Sequence, residues 1–100
     1  ESVPRRLRQS LPNHRVRTVV EMGWSGIKNG ELLRLAASDF DAFITVDKNL
    51  QYQQNLSALP IAVVVLHAQS NELHVLMPLV PDLEATLTSL QPCRLVQVGA

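Results

Sequence analysis

Three carboxylates stand at points where one kind of segment gives way to another: Glu1, Glu31 and Asp47. Asp47 ends the apolar run AFITV (residues 42–46) and is followed by KNLQYQQNL, a place where an aspartate ordinarily caps the next helix. Glu31 opens the stretch ELLRLAAS (residues 31–38), and in the first turn of a helix a negative charge is favoured by the macrodipole. Asp47 and Glu31 therefore each have a plain structural use. Gathered in one place, the three would repel one another and lose hydration, and a bound cation is the usual reason for such a cluster. An all-oxygen donor set without cysteine points to a hard divalent ion, Mg²⁺ or Mn²⁺.

Such a gathering needs a scaffold. AFITV and IAVVVL (residues 61–66) are nearly continuous β-branched and aliphatic runs, the pattern of strands covered on both faces in a parallel sheet. Pro4 with RRLRQSL reads as a short helix, with the proline near its first turn where a missing N–H is harmless. PNH makes a turn, and RVRTVV (residues 15–20) alternates like a half-buried strand. MGWSGIKNG is a glycine-punctuated loop, and Asn29 is placed to cap the helix GELLRLAAS. KNLQYQQNL is long enough for a helix or helical turn. NELHVLM and DLEATLTSL continue as helix split by Pro78 and Pro81, and RLVQVG closes as an edge strand. Alternating strands and helices predict an α/β sandwich with a mostly parallel sheet.

In such a sheet the binding crevice lies outside the carboxyl ends of the strands. That rule sorts the acids. Asp41 precedes the strand at residues 42–46 and Asp47 follows it, so they lie at opposite edges, roughly 20 Å apart at about 3.3 Å per residue. Asp39 and Asp41 read as turn residues. Asp47 is on the functional edge, Glu31 starts a helix near it, and Glu1 precedes the first helix.

One hundred residues with 46% hydrophobic side chains make a single domain that can bury a core. Nine basic and nine acidic side chains cancel, so overall charge signals neither nucleic acid nor membrane. Placement is uneven, however. Residues 1–17 carry Arg5, Arg6, Arg8, Arg15 and Arg17 against Glu1 alone, a basic face that can be merely solvated or can meet phosphate. Cys93 is the single cysteine, which excludes an internal disulfide and suits the cytoplasm. Residues 61–66, the longest aliphatic run, fall far short of the roughly 20 residues of a membrane-spanning helix. No secretion signal is expected, and a start on Glu1 reads as a clipped chain.

The segments ESVPRRL, LPNHRVRTV, KNGELLRLA and FITVDKNL together resemble the compact PIN-like family, relatives of VapC-type toxin ribonucleases. The resemblance spans nearly the whole chain, and ITVDKNL and ESVP are its most specific parts. It implies a single PIN-like domain, a three-layer sandwich about a mostly parallel sheet, whose first strand is missing from this sequence. Family members carry an apolar strand ending in Asp-Glu before the ESVP-like segment, which makes Glu1 the second acid of that pair. Asp47 and Glu31 fall on metal-ligand positions. Asn29 and Asn49 stand where relatives often have acids; an amide oxygen can ligate a hard cation or orient water but adds no charge.

The function so implied is metal-dependent cleavage of an RNA phosphodiester, of single-stranded or structured RNA. Such a protein would be a toxin restrained by an antitoxin partner, often a homodimer, in the cytoplasm. Lys48 beside the site, with Arg5 and Arg6, would contact phosphates. The second reading is a catalytically silent PIN-like module that binds protein or nucleic acid, which Asn29 and Asn49 favour. His14, His67 and His74 have no metal-ligand spacing. Trp24 and Tyr52 can stack on bases or pack on the core, and the amides Gln53, Gln54 and Asn55 suit either a solvated helix face or a nucleotide contact.

Overall fold

Five consecutive buried residues in Ala62–Leu66 mark the centre of the protein, and the two elements beside them follow from that burial. A computed structural model describes residues 3–99, apart from the side chains of Gln51, Gln53 and Leu56. The strand Ala62–Leu66 (β2) lies between Ala42–Thr45 (β1) and Leu95–Val98 (β3), and both pairings are parallel. Phe43 pairs with Val63, and Val63 with Leu95, so the register runs straight across the sheet. A central parallel strand must be apolar on both faces. Val63, Val64 and Val65 are accordingly sealed from solvent.

Alternation along the strands divides the core in two. Phe43, Val63 and Val65 join a cluster with Leu32, Leu33 and Ala36 of the helix Asn29–Asp39 (α1). Val64, Leu66 and Val98 join a second cluster with Leu7, Leu11, Leu76 and Leu83. Leu7 comes from the 3-10 helix Arg5–Ser10, where the sequence predicts a short helix. Leu76 and Leu83 come from Leu73–Leu76 (α3) and Val80–Thr88 (α4). These two helices are joined by a 3-10 turn, Met77–Leu79, at the predicted proline break. Each buried aliphatic side chain contributes about 1.5–3 kcal/mol, so β2 alone organises much of the stability. The fold class is α/β with a parallel sheet, as the alternating pattern predicts. No helix among the described residues is long and apolar enough to cross a membrane.

Two local expectations fail for identifiable reasons. Residues 15–18 adopt no regular structure, and residues 19–23 form a turn, where alternation predicts a strand. The sequence TVVE contains a competing signal. The Glu21 N–H donates to Thr18 Oγ1 at 3.1 Å, and the Thr18 N–H donates to Glu21 Oε1 at 3.0 Å. This reciprocal pair is a capping box, which starts a helical turn and ends any strand. The Met22 N–H bond to Thr18 O completes that turn. Likewise Asn29 does not cap α1. The Leu32 N–H donates to Lys28 O at 2.8 Å, so Lys28 is the cap and Asn29 the first helical residue.

Candidate functional site at the carboxyl edge of the sheet

The carboxyl ends of β1 and β2 deliver Asp47 and His67 to the same edge. Thr45 and Val65 are the last paired residues, and each of the two polar side chains follows two positions later. Asp47 is held by its neighbours. Its N–H donates to the Oγ1 of Thr45, a fully buried threonine, at 3.0 Å. Its Oδ1 accepts the N–H of Asn49 at 3.0 Å, and its carbonyl accepts the N–H of Leu50 at 3.3 Å. Short polar side chains do this at helix starts. The turn leads into the short helix Leu50–Gln53 (α2), with Asn49 at its cap position. Asp47 is half-buried, whereas Lys48 and Asn49 are exposed beside it.

α1 brings the second carboxylate. Its first turn lies against the segment after α2, since a Cβ built on Gly30 would stand 3.7 Å from Gln54 Oε1. Asn29, Gly30 and Glu31 thus start a helix beside the chain that follows Asp47. Glu31 is exposed there and forms an ion pair with Arg34, at 3.1 Å from Nη2 to Oε2. Glu1 lies outside the described residues. Among the described residues, no three His, Cys, Asp or Glu side chains gather where they could hold a metal ion.

The arginines separate into two groups. Arg8 is bound to both oxygens of Glu21, at 2.9 and 2.8 Å. Glu21 is held below its ordinary value of 4.5, first by the Thr18 backbone N–H and then by the Arg8 side chain. Arg15 lies over the Phe40 ring, 5.6 Å from its centroid, and donates to Asp39 O at 3.4 Å. These two arginines brace the loop. Arg5, Arg6 and Arg17 are exposed. Arg5 and Arg6 precede Leu7, which packs into the second cluster, not the α1 cluster.

His67 follows β2 at the same edge as Asp47. Its backbone N–H donates to Val98 O at 2.8 Å, which extends the β2–β3 ladder. Its Nε2 is buried and has no hydrogen-bond partner among the described residues. His14 is bonded through Nε2 to Glu84 Oε1 at 2.9 Å, and exposed His74 lies 3.4 Å from Glu72. Trp24 packs edge-on to Phe40, with centroids 6.4 Å apart, so its use is in packing, while Tyr52 is exposed.

The edge thus carries one fixed carboxylate with an amide and a lysine next to it, and α1, which starts against the segment after α2, has Asn29 and exposed Glu31 in its first turn. Asp47 and Glu31 are hard oxygen donors, as are the amide oxygens of Asn29 and Asn49, and this chemistry suits Mg²⁺ or Mn²⁺ better than a soft metal. Comparison of the chain with protein-family models, with curated proteins and with solved structures gives no match.

Proposed function

We propose that this protein is a PIN-like domain, a three-layer sandwich whose carboxyl edge hydrolyses RNA phosphodiesters with Mg²⁺ or Mn²⁺, and that it serves as the toxin of a toxin–antitoxin pair in the cytoplasm. One observation supports the reading above the others. An aspartate at the carboxyl end of a parallel strand is fixed in place by Thr45 and by the Asn49 N–H, while α1 starts against Gln54, just past α2. Asp47 and Glu31 would hold the ion, with Glu1 as a third carboxylate. When bound, such an ion lowers the pKa of a coordinated water and offsets charge building on the phosphate. The remaining residues bind and orient. Lys48 presents an exposed cation next to Asp47, and the Asn29 and Asn49 amides can hold a water or a sugar hydroxyl. Arg5 and Arg6 would extend the contact along the phosphate backbone in a salt-dependent manner.

The test is cleavage of a mixed-sequence RNA by purified protein in Mn²⁺, in Mg²⁺ and in excess chelator, alongside Asp47→Asn. Cleavage should need the metal and should fall by roughly 100-fold or more in the variant. Equal cleavage by both proteins would remove the enzyme reading. A second reading has an observation of its own: Glu31 is engaged by Arg34, and Asn29 and Asn49 add no charge. On that reading the domain is catalytically silent and binds RNA or a protein partner. It then shows metal-independent binding that Asp47→Asn leaves intact.

A further inference from the structure

Alternation continues past the last paired residues of β1 and β2 and tells which way the next side chains face. Val46 and Ala68 pack against the cluster that holds α4, as do Ile44, Val64 and Leu66. Phe43, Val63 and Val65 pack on the opposite face, with α1. Successive side chains of an extended chain point to opposite faces. His67 stands between Leu66 and Ala68, so its ring belongs to the α1 face. Asp47 follows Val46, and its N–H bond to Thr45 Oγ1 keeps it over that same face. Their heights agree too. Thr45 pairs with Val65, and each of the two polar residues comes two positions later, on chains about 4.8 Å apart.

The ring of His67 is in an unfavourable place. Its Nε2 is shut off from solvent and has no hydrogen-bond partner among the described residues, although its backbone is held in the ladder by Val98 O. An imidazole nitrogen that gives up water and gains no partner costs stability. An apolar side chain would fill the position without that cost. The other two histidines show the contrast. His14 Nε2 meets Glu84 at 2.9 Å, and His74 Nδ1 lies 3.4 Å from Glu72. A sealed nitrogen without a partner of its own fits a ligand that comes from outside the chain.

We propose that His67 gives its Nε2 to the same divalent ion as Asp47, so that the carboxyl-edge site mixes nitrogen and oxygen donors. The inference rests on the metal reading of that edge given above. Both residues are half-buried, at the rim of the sheet. Oδ1 of Asp47 accepts the Asn49 N–H, which leaves Oδ2 for the ion. One or two protein ligands suffice for a hard divalent ion when water fills the other positions, so the site does not require three acids. The nitrogen changes which ion is preferred. Imidazole is a borderline donor that first-row transition ions accept and Mg²⁺ accepts poorly. His67 therefore decides between the two candidate ions in favour of Mn²⁺.

Mn²⁺ alone is the probe, titrated into the purified chain and followed by the electron paramagnetic resonance of the ion. Pulsed measurement of the bound ion should show coupling to an imidazole nitrogen. Mn²⁺ should bind about tenfold or more tightly than Mg²⁺ in competition. His67→Phe fills the same space without a nitrogen. It should unfold at the parent's temperature or above, yet lose the nitrogen coupling and bind Mn²⁺ about tenfold more weakly or worse. His67→Gln keeps a polar side chain and should lose the coupling as well. Mn²⁺ that binds the parent without nitrogen coupling, and that Asp47→Asn releases, would overturn the inference and leave the metal site standing. Coupling that survives in both His67 variants would belong to another histidine and overturn it too. A parent that binds no Mn²⁺ would sink the inference and the metal reading together.

Discussion

Replacing Asp47 in two ways separates its structural use from its charge. Asp47 Oδ1 accepts the Asn49 N–H at 3.0 Å at the turn into α2. Asn keeps an oxygen at that position, whereas Ala removes it. Loss of such a cap costs about 1 kcal/mol. Unfolding of a 100-residue domain carries an entropy of about 0.2 kcal/mol per degree, so Asp47→Ala should lower Tm by about 5 °C. Asp47→Asn should stay within about 2 °C of the parent, because only a charge is lost at a half-exposed position. Thr45→Val provides the third arm. It removes the buried oxygen that accepts the Asp47 N–H at 3.0 Å, at a cost of about 1–3 kcal/mol. Thermal unfolding followed by circular dichroism reads all three, and manganese titration on the same samples reads the charge. The expected pattern is a stable Asp47→Asn that no longer binds Mn²⁺ and a less stable Asp47→Ala that does not bind it either. If Asp47→Asn loses as much stability as Asp47→Ala, the carboxylate charge is structural. The argument that the turn holds a carboxylate for another purpose then fails.

Other positions give simpler outcomes. Gly99→Ala should destabilise by about 1–3 kcal/mol, because φ is +86° and the new Cβ would meet Leu79 Cδ2 at 2.6 Å and His67 O at 3.1 Å; urea unfolding measures it. Leu33→Ala, at a fully buried position under the sheet, should cost about 2–5 kcal/mol in the same assay. Glu21 provides a pH dependence. Its pKa is lowered in the folded protein, so its contribution is fully present above its ordinary value of 4.5 and disappears as pH falls through the folded value. The Tm gap between the parent and Glu21→Gln should therefore be flat near neutrality and close below pH 4.5. A gap that widens in acid would contradict the assigned Thr18 and Arg8 contacts.

The sheet was legible because β1 and β2 are short, nearly continuous β-branched and aliphatic runs and β3 alternates, each too short for a helix. AFITV, IAVVVL and RLVQVG yield β1, β2 and β3 within a residue or two. Pro78 and Pro81 marked the break between α3 and α4 for the steric reason that a proline ring cannot sit in a helix interior. The failure at residues 15–20 came from weighing alternation above turn chemistry. Thr18 and Glu21 are three apart, and that spacing writes a capping box as plainly as the valines write a strand. At the site, the place of Asp47 followed from strand polarity alone. The Glu31–Arg34 pair is equally open to reading, the two residues being three apart on a helix. The orphaned Nε2 of His67 was out of reach, since burial of one ring nitrogen depends on tertiary packing that no local pattern encodes.

Energetics also decide whether the observed pairings stand against ligand binding. The Asp47 turn and a bound cation do not compete, because a carboxylate has two oxygens and Asn49 takes one of them. The turn fixes the rotamer and leaves the group with less freedom to lose on binding, which is how a supported site gains precision. Glu31 is the opposite case. Its pair with Arg34 is exposed, with side-chain exposures of 55% and 68%, and such pairs are worth about 0–1 kcal/mol. Releasing Glu31 from Arg34 therefore costs about 1 kcal/mol at most. One acid is held and the other is free to turn, so the Arg34 contact is weak grounds for calling the edge silent. The Asn29 and Asn49 amides are the stronger grounds, because they lower the charge available to any ion there.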